Sequence, residues 1–317
     1  MVTLTEIRSL DLCFSPAPGR ARHLSAASGL VRVGAFLYVV ADDEHHLGVF
    51  EAEGREPGRL IRLLPGDLPD AHDARKAAKP DFEALALLPR AEYLPFGALF
   101  AFASGSKPNR QTGILLPFDA AGALEPPQSI DLSGLYALLR EQLGKLNIEA
   151  AVMAGDRMVM LQRGNKKNAV NACISFRWAA FIDAPRGGVL TGAALDLRVD
   201  LHELGQVNDI PLSFSDVTAL PNGDLLFAAI AEDTDDSYVD GACAGAALGI
   251  LQQGGQLSHI WQLERPWKIE GVDARVEGSS VHLTLVTDAD DAGVAAVMLY
   301  ARLDGYPFGN AFDQRGK

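Results

Sequence analysis

Five residues able to hold a cation or move a proton recur along the chain, each at the opening of a short apolar run. They are Ser28 in Ser28-Gly29-Leu30, Glu83 in Phe82-Glu83-Ala84, Glu149 in Ile148-Glu149-Ala150, Asp216 in Ser215-Asp216-Val217 and Glu270 in Ile269-Glu270-Gly271. Their spacings are 55 residues (28 to 83), 66 (83 to 149), 67 (149 to 216) and 54 (216 to 270). Carboxylates gathered round one centre repel each other, so they protonate, pair with cations or bind a metal ion. Hard oxygen donors at a flexible site suit Ca2+ better than Zn2+, which favours His and Cys. An ion held there would polarise a phosphate or carbonyl oxygen and acidify a bound water. Two readings stay open at this point: a metal-dependent hydrolytic centre, or side chains that only bond the backbone of neighbouring strands or hold a structural ion.

The elements that carry these residues read as strands. Blade three is the clearest unit: Ile148 to Met153, the turn Gly155-Asp156, Arg157 to Gln162, then Ala172 to Arg177 and an outer strand over Ala194 to Leu201. A self-similar unit of this length made of strands alone marks a propeller blade rather than a helical repeat. The pattern predicts an all-β, five-bladed β-propeller of four-stranded blades over 1–317 as one domain, with blades over about 28–65, 82–133, 148–202, 215–264 and 269–302. The last blade offers three strands, and the alternating segment Val2 to Leu12 is expected to supply the fourth, removing the open edge. One helical decoration is expected near 135–146, where Leu135, Leu138, Leu139, Leu143 and Leu146 recur at helical spacing.

Two successive antiparallel strands return the chain to its starting side, so each opening residue shares a face with the loop between strands two and three of its blade. Those loops are polar: Asp42 to His46 in blade one, Ser104 to Arg110 in blade two, Arg163 to Asn168 in blade three, Glu232 to Asp236 with Tyr238 in blade four, and Thr287 to Asp291 in blade five. Lys107, Arg110, Arg163, Lys166 and Lys167 put a basic sector opposite an acidic one. The expected site therefore has Ser28, Glu83, Glu149, Asp216 and Glu270 around Ca2+. Glu149 and Arg163 take the catalytic places, and Lys107, Arg110, Asn165, Lys166, Glu232 and Asp233 contact a small anionic substrate or ligand. The Arg163 to Lys167 loop reads equally as a solvated turn. The Glu232 to Asp236 run lacks the Gly and terminal Glu of an EF-hand and reads as a solvated acidic loop. His45 and His46 are adjacent strand residues that point to opposite faces, which favours a surface pair over a ligand pair.

Composition excludes other classes. A net charge of −13 with a pI near 4.9 argues against nucleic-acid binding, which rests on cationic contacts to phosphate. Cys13, Cys173 and Cys243 are too scattered for a disulfide framework or a zinc site, and fit a reducing compartment. The start of the chain lacks the basic and apolar pattern of an export signal, and no window has the apolar length of a membrane helix. A cytoplasmic protein with no membrane contact is expected. No GxSxG, HExxH, P-loop or GxGxxG occurs.

The openings Asp81-Phe82-Glu83-Ala84-Leu85, Asn147-Ile148-Glu149-Ala150-Ala151 and Lys268-Ile269-Glu270-Gly271-Val272, with the Gln162-Arg163-Gly164-Asn165 and Ala231-Glu232-Asp233 loops, resemble an uncharacterised bacterial β-propeller family, DUF6929. That family is similar in pattern to the "esterase-like activity of phytase" propellers. A more distant likeness is to calcium-activated nucleotidases of the apyrase type, which implies five blades and an axial calcium held by Glu and Ser. Ser28, Glu83, Glu149, Asp216 and Glu270 match that order, with Asp216 standing where the likeness implies Ser. The resemblance implies architecture first, and Ca2+-dependent hydrolysis of a phosphate or other anionic ester second. The alternative is a non-catalytic propeller that binds a ligand or protein.

Overall fold

Short runs rich in Val, Ile and Phe, bounded by turn residues, fit a pleated and largely buried surface and form strands throughout the chain. The computed structural model describes residues 1–17, 19–164, 170–183, 190–233 and 243–308. Five four-stranded antiparallel sheets result. Blade one is β2 (Ala27–Val33), β3 (Phe36–Ala41), β4 (His46–Glu51) and β5 (Arg59–Arg62); blade two is β6 (Phe82–Leu88), β7 (Ala98–Ala103), β8 (Thr112–Pro117) and β9 (Gln128–Asp131). Blade three is β10 (Ile148–Ala154), β11 (Arg157–Gln162), β12 (Asn171–Arg177) and β13 (Arg198–His202). Blade four follows a small hairpin, β14 (Gln206–Val207) with β15 (Ile210–Pro211), and comprises β16 (Ser213–Ala219), β17 (Leu225–Glu232), β18 (Cys243–Leu251) and β19 (Leu257–Gln262). Blade five is β20 (Ile269–Glu277), β21 (Ser280–Thr287) and β22 (Val297–Asp304), completed by β1 (Thr5–Ser9). The inner strands β2, β6, β10, β16 and β20 each pack against the next and the last against the first, so the ring is a closed five-bladed propeller.

The core has the same cyclic form. Five apolar clusters fill the five seams between blades: Phe82 and Leu99 face Val40 across the first seam, Phe100 faces Ile174 across the second, and Phe214 faces Ala150 across the third. Val272 faces Ala228 across the fourth, and Leu30 faces Val286 across the last. Each large side chain so buried contributes roughly 1.5–3 kcal/mol.

Beyond the expected helix, which spans Ser133–Leu143 (α2), the described residues hold three more: α1 (His72–Ala78), α3 (Trp178–Asp183) and α4 (Gly192–Leu195). They are too short to show a period in sequence. The start of the outer strand expected from Ala194 is helical, because Thr191 caps the turn by accepting from the Ala194 amide at 3.1 Å, and β13 begins at Arg198.

The N-terminus closes the ring. β1 lies antiparallel to β22 from Thr5 opposite Tyr300 to Ser9 opposite Val297, and Leu10 and Leu12 then enter the seam between blades five and one. Leu10→Ala is expected to cost about 2–5 kcal/mol in denaturant unfolding. Deletion of residues 1–12 would bare the edge of β22, and light scattering should then show self-association.

Asp273 of β20 accepts from the Arg32 amide of blade one at 3.4 Å, and burial pushes its carboxyl up to about 6. The native chain therefore holds that proton more firmly than the unfolded chain, and stability is lost as pH rises from about 4 to about 6. Asp273→Asn is expected to melt higher than the parent near pH 8 and about equally near pH 4.

Candidate functional site

In every blade the pairing of the first two strands slips by one residue at the head of the inner strand. The residue left over is Ser28 between Ala27 and Gly29, Glu83 between Phe82 and Ala84, and Glu149 between Ile148 and Ala150. In blades four and five it is Ser215, between Phe214 and Asp216, and Glu270, between Ile269 and Gly271. A bulge re-aims its extra side chain, and five bulges at one level of five inner strands make a ring at the axis. The fourth member is Ser215, not Asp216. Both precede the apolar run, and only strand register separates them. With Ser215 in place the spacings become 66 residues (149 to 215) and 55 (215 to 270), mirroring the first two.

Asp216 belongs to the next layer, level with Gly29, Ala84, Ala150 and Gly271. There the inner strands approach closely: a Cβ on Gly29 would lie 3.1 Å from the Leu85 nitrogen, and one on Gly271 would lie 3.3 Å from the Leu30 nitrogen. Blade four places a carboxylate at this level instead. Asp216 Oδ2 accepts from the Val272 amide at 2.6 Å, and the carboxylate also takes the amides of Val217 and Leu30, joining blades four, five and one. Burial pushes this carboxyl well above the usual range, against the pull of those amides. The expected metal ligand thus caps backbone amides.

Towards the open end, the residue just past the second strand pairs with the residue two before the ring. The Asp42 amide donates to Ala26, Ser104 to Asp81, Arg163 to Asn147 and Asp288 to Lys268. Arg163 reaches across the axis from blade three, donating to Glu149 Oε2 at 3.1 Å, Glu270 Oε1 at 3.4 Å and Glu232 Oε2 at 2.6 Å. Lys268 meets Asp288 at 2.9 Å, Glu232 Oε1 at 3.3 Å and Asp290. Lys79 pairs with Asp42 and, at 3.0 Å, with Asp81. Arg110 is 3% exposed and donates to Asp81 at 2.8 Å and to the Lys76 carbonyl at 3.0 Å.

Among these described groups the carboxylates Asp42, Asp81, Glu83, Glu149, Glu232, Glu270, Asp288 and Asp290 outnumber the cations Lys79, Arg110, Arg163 and Lys268 two to one. Burial raises the carboxyls of Glu83 and Glu270 well above their ordinary value, that of Glu149 above it, and those of Asp42 and Asp290 to about 7. Arg163 and Lys268 move the other way in effect: burial pulls them down, but their carboxylate neighbours hold them well above normal and fully charged. Two ring groups have no hydrogen-bond partner among the described residues, the Glu83 carboxylate and the buried Ser215 hydroxyl. The Ser28 hydroxyl donates to the Ala26 carbonyl at 3.2 Å. Oxygens of Asp42, Asp81 and Glu83 lie within 4.8 Å of one another.

The structure therefore brings Ser28, Glu83, Glu149, Glu270, Arg163 and Glu232 to one end of the axis. Arg110 sits there as a buried strut between Asp81 and α1. Lys107 lies on the same loop, partly exposed, and Asp233 is exposed at the end of β17. Asn165 and Lys166, with Lys167, Asn168, Thr234 to Asp236 and Tyr238, lie outside the described residues. Sequence reasoning missed Asp81, Asn147 and Lys268, although the polar-apolar-acidic triplets Asp81-Phe82-Glu83, Asn147-Ile148-Glu149 and Lys268-Ile269-Glu270 carried the signal. Lys79 had none.

Residues 23–303 match the sequence model of a family of unknown function, DUF6929. No curated protein matches the chain. Solved structures with a similar course include glutaminyl cyclase from Myxococcus xanthus, at 9% identity and TM-score 0.46 over 96% of this chain and 98% of that one. Streptogramin B lyase follows at 11% and 0.36 over 94% and 97%, and the β-propeller domain of Cps50 (Swd1) from Myceliophteria thermophila at 9% and 0.36 over 89% and 73%. Likenesses this distant carry no activity across. Among the described residues no helix is long and apolar enough to cross a membrane.

Arg163→Met would leave the buried carboxylates of Glu149 and Glu270, and the partly buried one of Glu232, without their guanidinium. The expected loss is about 3–5 kcal/mol in chemical unfolding at neutral pH, shrinking in acid as the carboxylates take up protons.

Proposed function

The chain belongs to the DUF6929 family, and we propose that its axial mouth binds Ca2+ and hydrolyses a phosphate ester or similar anionic ester. The observation that carries this reading is the ring itself: Ser28, Glu83, Glu149, Ser215 and Glu270, all oxygen donors, all at bulges of the same level, with the Ser215 hydroxyl buried and unpartnered. An all-oxygen donor set suits Ca2+ rather than a metal that seeks nitrogen or sulfur. With Ser215 in the ring, the departure from the nucleotidase pattern expected at blade four disappears.

The donors fit such an ion chemically, since among the described residues of the mouth the carboxylates named above are twice as many as the cations and several of them are costly to ionise there. Glu83, with no hydrogen bond among the described residues, would be the foremost ligand, and Asp42 and Asp81 lie close enough to share in holding the ion. A bound Ca2+ supplies charge for an anionic substrate and lowers the pKa of water. The protein's own groups do the rest. Glu149, its carboxyl raised by burial and held by Asn147 and Arg163, accepts a proton near neutral pH more readily than an ordinary Glu. Arg163 fixes Glu149 and Glu270 relative to each other and stays charged throughout. Lys79 and Lys268, paired with carboxylates of the adjacent blades one and five, would offset charge on an incoming anion.

A second reading has its own support. Arg163 is saturated by three carboxylates and Arg110 is held by Asp81, which favours a mouth that binds a structural ion or a ligand without turnover.

Calcium at about a hundredfold over its Kd is expected to stabilise the chain by about 2.7 kcal/mol, read as a shift in melting temperature that chelator reverses. Glu83→Gln and Ser215→Val should each reduce that shift, whereas an exposed substitution on β13 should not. Calcium-dependent turnover in a screen of phosphate and carboxyl esters, lost in Glu149→Gln, selects the hydrolase. A melting shift with no turnover selects the second reading, and no shift at all overturns the ion.

A further inference from the structure

Away from the axis, the outer cleft between blades two and three holds an open cavity of about 750 Å3. That volume is in the range of sites for small organic ligands. Its walls are aromatic, with Tyr93, Phe96, Phe118 and Phe181 around a floor of aliphatic side chains from β8 and β9. Phe96 lines the cavity with 42% of its surface exposed, so its ring is accessible to a ligand there. Phe181 packs against Trp178 at 5.4 Å and Phe176 at 5.9 Å between ring centres.

The charged groups among the described lining residues are both acidic. Among its described lining residues the charged ones are Glu125 and Asp131, with no Lys, Arg or His. Asp131 takes the Ser133 amide at 2.8 Å and the Ser133 hydroxyl at 2.9 Å where α2 begins, and among the described residues it pairs with no cation. Glu125 has neither a hydrogen bond nor an ion pair through its side chain among the described residues. Aromatic faces attract cations through their quadrupole, and a nearby carboxylate adds to the attraction. The net charge of −13 enriches cations around the molecule as a whole.

We propose that this cleft binds a small organic cation, an ammonium group carried on an aromatic or branched apolar body. The apolar body fills the aromatic cavity, and the charged head lies against the ring faces and Glu125. Neutral ligands of the same shape gain only the first of these contacts, and anions are repelled.

The test is titration of the full chain with phenyltrimethylammonium, its neutral isostere tert-butylbenzene and benzoate, followed by ligand-observed NMR and by tryptophan fluorescence, since Trp178 abuts the wall. Saturable binding of the ammonium, about tenfold tighter than its isostere, is expected, with none for benzoate. Glu125→Gln and Phe96→Ala should each weaken it about tenfold with unchanged melting temperature. Glu83→Gln should leave it untouched. Equal binding of the neutral isostere, no binding of the ammonium, or loss in Glu83→Gln rather than Glu125→Gln would each overturn the proposal, the last by moving the cation to the axis.

Discussion

Closing five sheets on one axis brings the heads of all five inner strands within reach of one another, and whatever side chains stand there must be reconciled in charge. Here three of the five are glutamates, and the residues flanking them add Asp42, Asp81, Glu232, Asp288 and Asp290. Arg163, Lys268, Lys79 and Arg110 are drawn in as counter-charges. The ordering of the mouth loops, the seating of α1 through Lys79 and the Arg110–Lys76 bond, and the raised carboxyls all follow from that convergence. Even so, among the described residues the carboxylates at the axis outnumber the cations, and burial leaves several of them with raised carboxyl pKa values.

The bulge is the device that makes the convergence orderly. Without it, alternation along each inner strand would turn the ring residue into a seam between blades, where Phe82, Ile148, Phe214 and Ile269 already sit. One extra residue per blade frees a polar side chain to face the axis without breaking the apolar register on either side. The layer beneath shows the cost of crowding: glycine where strands nearly touch, and in blade four an aspartate that satisfies three amides from three blades. Asp216 is a pin below the site, and its neighbour Ser215 is the group in the ring.

The axis and the outer cleft differ in physical character. The axis is built from buried ionic groups whose energies depend on one another, so changing one member alters the protonation of the rest. The cleft between blades two and three is largely apolar, its charged groups among the described residues are Glu125 and Asp131, and one wall is packed on Trp178. Its properties are set by shape and by the sign of its rim.

The strand order, the closure by the N-terminal segment, the helix after blade two and the spacing of Glu83, Glu149 and Glu270 were all written in the sequence, because apolar alternation and turn residues act over a few neighbouring positions. The choice between Ser215 and Asp216 was not, since a bulge is a relation between two strands and leaves no mark on one. The pairing of Arg163 with Glu232 and Glu270 was equally hidden, for it joins residues from three blades that meet only when the ring closes. Lys79 lies in an unremarkable Lys-Pro-Asp stretch, and only the fold carries its ammonium to Asp42, 37 residues away along the chain. Local chemistry determined which pieces exist; the closed geometry decided which charges face each other.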